Sequence, residues 1–289
     1  MMESSIKEIF YPSEEEIKMN RFPVALTIAG TDPTGGAGIQ ADLKTFQELE
    51  VYGMSILTSV VAQNTQGVSD IHHLPLSMLA AQLESVFSDI QPHAIKTGMI
   101  ATAEMMEIVA SRIKSKQTQY IMDPVMVATS GHHLIDEQAV ASLKESLLPL
   151  ATVVTPNLPE AEALTGSPVK TVDDMREAAK VIVHDLGAGS VVVKGGHMEG
   201  DAFDLFYDGF SFHELITPRI NTRHTHGTGC TFSAAIAAEL AKGYTLLDAV
   251  KTAKQFIQLA IEHTWGLGKG NGPTNHMAHR RVKGAAKND

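Results

Sequence analysis

Short apolar runs alternate with longer amphipathic stretches along most of this chain. Each short run rich in β-branched residues predicts a strand, and each stretch with apolar residues at helical spacing predicts a helix. In the first unit, residues 24–29 predict a strand, a glycine-rich loop follows at 30–36, and Ile39, Leu43 and Phe46 mark a helix. Helices separate the later predicted strands, which lie at 55–62, 94–96, 120–122, 152–155 and 190–194.

This repeated strand–loop–helix unit predicts a single α/β domain with a central, mostly parallel sheet and helices on both faces. An antiparallel hairpin is predicted for 202–207 and 211–216, around Asp208-Gly209. We interpret residues 1–20 as an extension and 21–289 as the domain. Ligands bind at the carboxyl ends of the strands in such sheets, so we expect one face to collect the loops at 30–36, 62–67, 97–99, 123–131, 156–160, 194–197 and 225–230.

Charge and cysteine content narrow the class of protein. The 289 residues carry a formal net charge of −10, which argues against a nucleic-acid or anionic-membrane surface because either favours clustered Lys and Arg. A single cysteine excludes an intramolecular disulfide framework and suits a reducing cytoplasm. No apolar run approaches the roughly 18 residues of a membrane span. We therefore expect a cytoplasmic enzyme with a small-molecule substrate.

The segment Thr225-His226-Gly227-Thr228-Gly229-Cys230-Thr231 carries the strongest chemical signal. Two glycines around Thr228 allow a tight turn, so that N–H groups at a helix N-terminus point at one anion. The helix dipole there favours the thiolate of Cys230, which makes it a candidate base. A lone cysteine is also commonly a small buried apolar residue, so the other loops have to decide between the two interpretations.

Those loops supply oxygen ligands and a cation. Asn157 and Glu160 follow a predicted strand and are plausible ligands of a hydrated Mg2+, although the same pair is common at a turn that begins a helix. Lys194 ends another strand and could reach phosphates, or it could simply be solvated. Asp123 lies at a strand tip and carries the same two alternatives.

The sequence lacks the motifs of several other common catalytic and metal sites. No Gly-x4-Gly-Lys-Ser/Thr loop and no Gly-x-Ser-x-Gly elbow occurs, and no Gly-x-Gly-x-x-Gly follows the first strand. The histidines, including His224-x-His226 and His276-x2-His279, do not offer three or four ligands at zinc spacing. Phosphoryl transfer through the 225–230 loop therefore remains the favoured chemistry.

Seven motifs in order resemble the ribokinase superfamily, and within it the hydroxymethylpyrimidine/phosphomethylpyrimidine kinases of thiamine biosynthesis. The resemblance covers residues 22–279. Its carriers are Ala29-Gly30-Thr31-Asp32-Pro33, Gly35-Gly36-Ala37-Gly38-Ile39-Gln40-Ala41-Asp42, Val61-Ala62-Gln63-Asn64-Thr65, Lys96-Thr97-Gly98-Met99, Thr155-Pro156-Asn157-Leu158-Pro159-Glu160-Ala161, Lys194-Gly195-Gly196-His197 and Asn221-Thr222-x2 followed by the 225–231 segment.

The resemblance implies a ribokinase-like fold, a homodimer, ATP and Mg2+ as cofactors, and a role for each matched residue. The pyrimidine pocket would be lined by Gly30, Ala37, Asp42, Val61, Gln63 and Met99. Gln63 and Asp42 would match the polar edge of an aminopyrimidine, between apolar walls from Val61 and Met99. The anion hole would be formed by Gly227, Thr228, Gly229 and Cys230, and Cys230 would take the hydroxymethyl proton. The nucleotide would be bound by Lys194, Asn157 and Thr225, and the metal by Glu160, Asn157 and Asp123.

Two other functions stay open. A pyridoxal or pyridoxine kinase shares the implied fold and cofactors, although Gln63-Asn64-Thr65 is associated with the pyrimidine enzymes. A non-catalytic ligand-binding protein on this fold would usually lack the cysteine, the cradle glycines or Glu160, all of which are present. The spaced glycines at 266–272 are expected either to wrap a nucleotide or to form a flexible segment.

Overall fold

The computed structural model describes residues 22–114, 118–126, 137–196 and 200–285, so the 1–20 extension lies outside the described residues. The strands are β1 Val24–Ala29, β2 Tyr52–Leu57, β3 Ser59–Asn64, β4 Gly67–His73, β5 Ala94–Thr97, β6 Gln119–Met122, β7 Val153–Val154, β8 Val191–Lys194, β9 Ala202–Tyr207 and β10 Phe212–Thr217. The helices are α1 Gly38–Glu48, α2 Leu76–Phe87, α3 Ala103–Lys114, α4 Glu137–Ser142, α5 Leu158–Thr165, α6 Val172–Lys180, α7 Thr228–Ala241, α8 Leu246–Glu262 and α9 Ala278–Ala285.

Eight strands form the central sheet in the order β10-β9-β8-β7-β6-β5-β1-β2. The six strands from β2 to β8 in that order pair in parallel, and β9 and β10 are antiparallel. The predicted α/β class and the predicted hairpin are therefore confirmed. Parallel neighbours require crossover connections, which the helices between the strands supply.

Helices cover both faces of the sheet because side chains alternate along each strand. In β1, Leu26 and Ile28 enter one apolar core with residues of α2, α3, α5 and α6, whereas Ala25 enters the other. That second core contains Phe46 of α1, Phe256 of α8 and a run of buried alanines in α7. Small α7 side chains allow this helix to lie close to the sheet, and α7 begins at the predicted phosphate loop.

The predicted strand at 55–62 is wrong as one element. The chain forms β2 at the edge of the central sheet, breaks at Thr58, and continues as β3, which pairs with β4 in a separate two-stranded sheet. Thr58 lies at the break because its backbone N–H donates to Ala29 O and its hydroxyl donates to Met99 O at 2.8 Å. The 62–67 loop is consequently the tip of a hairpin rather than the end of a strand of the central sheet.

Two predicted helices change their winding before they end. Leu143–Leu147 and Val181–Asp185 are π-helical turns that continue α4 and α6. The spacing of their apolar residues is close to the α-helical period, so the sequence pattern does not distinguish these π-helical turns from the α-helices before them. Within the described ranges, none of the helices combines the length and the apolar character needed to cross a bilayer.

Candidate active site

The ends of four neighbouring strands bring the predicted metal and phosphate residues together. Asp123 follows β6, and its backbone N–H donates to Thr97 O at the end of β5. Asn157 forms an isolated parallel bridge with Lys194, whose N–H donates to Pro156 O at 2.8 Å. The parallel register therefore places these side chains at one edge of the sheet.

Three of the predicted pyrimidine residues meet in space. A Cβ on Gly30 would lie 2.5 Å from Met99 Cε and 3.7 Å from Val61 Cγ2, so a side chain there would have to displace the end of Met99. Val61 and Met99 are both buried, and Gln63 lies on the same face of β3 as Val61 while being partly exposed. The arrangement gives a narrow apolar site with one amide side chain at its margin.

Asp42 is oriented away from the role expected of it. It is completely buried, and both carboxylate oxygens lie within 3.0 Å of Lys96 Nζ, while Oδ2 also accepts from Thr27 at 2.6 Å. Burial penalises the Lys96 ammonium, but Asp42 and smaller contributions from neighbouring groups together outweigh that penalty and raise the pKa of Lys96. Asp42 thus holds a buried cation, a partner that the sequence analysis did not single out.

Asp32 is the residue that sequence reasoning missed. Its Oδ1 accepts from the N–H and hydroxyl of Thr34, and its Oδ2 accepts from the N–H groups of Gly36 and Ala37. His226 Nε2 lies 2.7 Å from the same Oδ2. The Asp-Pro-Thr order is typical of a side chain that organises its own turn, and that signal could have found Asp32.

The anion cradle, residues Gly227–Cys230, is built around one unusual backbone conformation. Gly227 has φ +81°, and a Cβ there would come within 1.7 Å of Gly36 O. The α7 helix begins immediately after it, and Thr228 Oγ1 donates to Thr225 O at 2.6 Å. The first N–H groups of a helix have no intrahelical acceptor, so the cradle presents donors next to the glycine-rich loop.

The expectation that the helix end favours a thiolate at Cys230 is wrong for this structure. Burial raises the pKa of the Cys230 thiol to about 11, and the carboxylates of Asp42 and Asp123 act in the same direction. Lys96 and the backbone N–H of Gly38 lower it by less. Desolvation is the largest of these effects, and the thiol is protonated at neutral pH.

Lys194 and Asp123 form a partly buried ion pair beneath the cradle. Lys194 Nζ lies 3.2 Å from Asp123 Oδ1, and Ser233 of α7 donates to Asp123 Oδ2. Burial opposes ionisation of Asp123, but Lys194 and Lys96 overcome this and lower its pKa. A Cβ on Gly229 would lie 3.3 Å from Lys194 Nζ, so the lysine lies directly against the cradle.

Asn157 and Glu160 form a capping box at the start of α5. Asn157 Oδ1 accepts from the Glu160 N–H at 2.9 Å, and Glu160 Oε2 accepts from the Asn157 N–H at 2.8 Å. Burial raises the pKa of Glu160 to about 7, against the opposing effect of Lys194. A buried carboxylate of this kind, beside that of Asp123, fits hydrated Mg2+, which favours oxygen ligands and retains several waters. The described residues contain no group of three or more His, Cys, Asp or Glu that could hold a metal ion.

The glycine-rich tail segment at 266–276 packs against other parts of the site. Gly272 O accepts from the His226 N–H at 3.0 Å, and Pro273 forms an isolated bridge with His226. His276 Nε2 lies 3.0 Å from the Thr231 hydroxyl in α7. The segment is therefore bonded to the residues on both sides of the anion cradle.

A parallel α/β sheet, an anion cradle at a helix N-terminus and an apolar site beside it define a ribokinase-like small-molecule kinase. The class alone leaves the substrate open, because several vitamin kinases share the fold. The phosphomethylpyrimidine kinase family model matches residues 32–275, and the chain belongs to this family.

Individual relatives cover almost the same region. The hydroxymethylpyrimidine/phosphomethylpyrimidine kinase of Bacillus subtilis is 50% identical over 260 residues, which span 89% of this chain and 96% of that protein. Its counterpart from Staphylococcus aureus is 49% identical over 264 residues, spanning 90% and 96%. The ADP complex of Bacillus subtilis pyridoxal kinase is similar in structure, with a TM-score of 0.84, 46% identity, and coverage of 90% of this chain and 99% of the other.

Proposed function

We propose that this protein transfers the terminal phosphoryl group of ATP to 4-amino-5-hydroxymethyl-2-methylpyrimidine and to its monophosphate, in thiamine biosynthesis. The observation that carries the proposal is the hydrogen bond between Asp32 and His226, which joins the loop around the apolar site to the anion cradle. Relatives at about 50% identity are named for both of these substrates. Acceptor and phosphate sites that adjoin in this way suit a kinase of a flat heterocyclic alcohol.

Each side of the site has its own task. Gly30, Ala37, Val61 and Met99 enclose the pyrimidine ring, and the amide of Gln63 bonds its polar edge. Asp42 supports that pocket through Lys96 rather than by direct contact. On the nucleotide side, Lys194 and Thr225 contact phosphate, and the cradle N–H groups stabilise charge on the transferring group.

The metal side uses the buried carboxylates. Glu160 and Asp123 hold hydrated Mg2+, while Asn157 keeps Glu160 in place through the capping box. When bound, Mg2+ supplies positive charge to the phosphate oxygens. Lys194 remains between Asp123 and the cradle, where its ammonium compensates the negative charge of Asp123 and of a phosphate bound in the cradle.

Cys230 is the proposed acceptor of the hydroxymethyl proton. A thiol with a pKa of about 11 supplies little thiolate at neutral pH, so proton removal by Cys230 contributes less than charge stabilisation by the cradle. Phosphoryl transfer through a loose transition state depends mainly on positioning and charge. Thr228 and the cradle glycines therefore carry the larger share of the rate.

Pyridoxal phosphorylation is the second candidate, and the similarity to the pyridoxal kinase structure favours it. Purified protein should be given ATP and Mg2+ with hydroxymethylpyrimidine, its monophosphate or pyridoxal in parallel, and ADP release should be measured. We expect turnover of both pyrimidines. Exclusive turnover of pyridoxal would overturn the proposal, and ligand binding without any ADP release would indicate a non-catalytic protein.

We further infer that the enzyme acts as a homodimer in the cytoplasm. The dimer follows from the family resemblance, and the location agrees with a single cysteine and an acidic net charge of −10. Light scattering during gel filtration measures the dimer directly, since each chain has a mass of 31.1 kDa.

A further inference from the structure

The β3–β4 hairpin holds two of the pyrimidine residues, yet it is not a strand pair of the central sheet. Its base is fixed to the first loop, because Thr31 N–H donates to Ser59 O and Val61 N–H donates to Thr31 Oγ1. Gln63 lies further out, where the register of the two strands shifts. The position of Gln63 therefore depends on what holds the outer half of the hairpin.

Thr65, at the turn of the hairpin, makes that attachment. Its Oγ1 accepts from the Gly270 N–H at 3.1 Å, and its carbonyl accepts from the Asn271 N–H at 2.8 Å. Within the described residues, Thr65 accepts both of the hydrogen bonds that join the 62–68 part of the hairpin to the rest of the protein. One threonine thus joins the hairpin to a segment 205 positions away in sequence.

The receiving segment, Gly268–Asn271, is shaped around this side chain. A Cβ on Gly268 would lie 2.3 Å from Thr65 Cγ2, and a Cβ on Gly270 would lie 2.0 Å from Thr65 O. Gly268 also has φ +83°, which other residues rarely adopt. Two glycines of the tail are therefore required by the close approach of Thr65 rather than by flexibility.

The same tail reaches the anion cradle within a few residues. Gly272 O accepts from the His226 N–H, and Thr274 N–H donates back to His226 O. His226 directly precedes Gly227, the residue whose left-handed conformation starts the cradle. Hydrogen bonds at the two ends of a short stretch of tail backbone thus connect the hairpin tip to the phosphate side of the site.

We propose that Thr65 is a positioning residue: by docking into Gly268–Asn271, it holds Gln63 over the pyrimidine and fixes the hairpin relative to the anion cradle. This proposal rests on the proposed function, since Gln63 is assigned to the pyrimidine there. Thr65 acts through Gln63 and does not itself contact the reacting atoms. Because His226 and the cradle are also held by Asp32, independently of Thr65, its effect should fall on acceptor binding and not on the nucleotide.

The kinetic test compares Thr65→Val, which removes the hydroxyl while keeping the shape, with Thr65→Ser, which keeps it. Loss of one partly buried acceptor predicts that Thr65→Val raises KM for hydroxymethylpyrimidine about fivefold. KM for ATP should stay within about twofold in both variants, and Thr65→Ser should resemble the wild type. An unchanged pyrimidine KM in Thr65→Val, or an equal rise of both KM values, would overturn the positioning role.

A second measurement tests the docking without using activity. Trp265 is the only tryptophan of the chain, is 43% exposed and lies three residues before Gly268, so its emission reports on the tail. Thr65→Val and Gly268→Ala should both shift this emission, and Thr65→Ser should not. Gly243→Ala is the matched control, because Gly243 has φ +87° but no atom within 4 Å of an added Cβ.

The two measurements separate the two proposals. If the wild type phosphorylates no pyrimidine but Thr65→Val still shifts the Trp265 emission, the docking stands and the proposed substrate is wrong. If Thr65→Val and Gly268→Ala both leave the emission unchanged, the docking itself is contradicted, whatever the substrate is.

Discussion

The carboxylate of Asp32 accepts hydrogen bonds from both sides of the active site. Burial alone would raise its pKa, but the bonds from His226 and Thr34 outweigh burial and lower it to about 2. Asp32 is therefore charged over the whole physiological pH range. Because it is also completely buried, its charge is available to the residues that bond it and not to solvent.

Asp32→Asn should destabilise the protein in a pH-dependent way. The folded pKa lies below the unfolded one, so the stabilising contribution is present above about pH 4 and is lost as the pH falls through about 2. At pH 7 we expect the free energy of unfolding to fall by about 2 kcal/mol. Urea unfolding of both proteins at several pH values measures the difference, which should shrink below pH 4.

Asp89→Asn serves as the control for this experiment, because Asp89 is exposed at the end of α2. It should change stability very little at any pH. A difference between Asp32→Asn and the wild type that stayed constant down to pH 2 would contradict the assignment of the effect to ionisation of Asp32.

Cys230→Ala separates proton transfer from charge stabilisation. We expect kcat to fall by more than about tenfold while KM for ATP changes little, because the thiol is bonded by the Gly38 N–H and lies near Lys96 and Asp42. Steady-state kinetics with both substrates varied will measure this. Near-full activity of the alanine variant would contradict a base role and leave the cradle N–H groups as the catalytic donors.

Single residues show how far the sequence can predict a site. The Gly30, Val61 and Met99 positions were predicted together, and the structure brings them together. The direction of a carboxylate was not predictable in the same way, because Asp42 points to Lys96, which lies 54 positions further along the chain. The spacing of motifs predicts which part of the site a carboxylate lies in, whereas its hydrogen-bond partner depends on tertiary packing.

At the scale of elements, the start of α7 depends on the first loop. Gly227→Ala should lower kcat/KM by about 100-fold or more, since the new methyl would meet the Gly36 carbonyl and displace the cradle donors. Steady-state assays with Gly243→Ala alongside isolate the steric effect, because both glycines have positive φ but only Gly227 is crowded. Equal losses in the two variants would indicate backbone strain instead of a contact with the first loop.

Elements were predicted well where local pattern decides them. Strand β1 and the pair β9–β10 follow directly from alternation and turn residues. The division between β2 and β3 was missed because Thr58 is a good strand former, and only its bonds to Ala29 and Met99 turn the chain away. The π-turn at Val181–Asp185 was missed for a similar reason, since tertiary packing selects the wider winding.

At the scale of the whole molecule, the parallel sheet gathers residues of distant segments at one edge. This fold class was predictable from the alternation of strands and helices, and the structure confirms it. The path from the hairpin through the tail to the cradle was not predictable, because the spaced glycines allowed two interpretations. It depends on the close approach of the Thr65 and Gly270 backbones, and the pattern of apolar and polar residues does not predict such a contact.

Removal of residues 1–20 tests the domain boundary that the sequence predicts. The family match begins at residue 32, and the site residues all lie beyond residue 29. We expect the shortened protein to keep kcat and both KM values within about twofold. A large loss of activity in a protein that still folds cooperatively would assign a functional role to the extension.

The bond between Asp32 and His226 spans 194 positions, and this separation has a consequence for synthesis on the ribosome. At roughly 5 to 20 residues per second, about 10 to 40 s pass between the appearance of Asp32 and that of His226. During that interval the nascent chain carries an acidic group without its partner and an acceptor pocket without its phosphate site. The nascent chain therefore becomes able to transfer a phosphoryl group late and abruptly, only once the last quarter of the polypeptide has emerged.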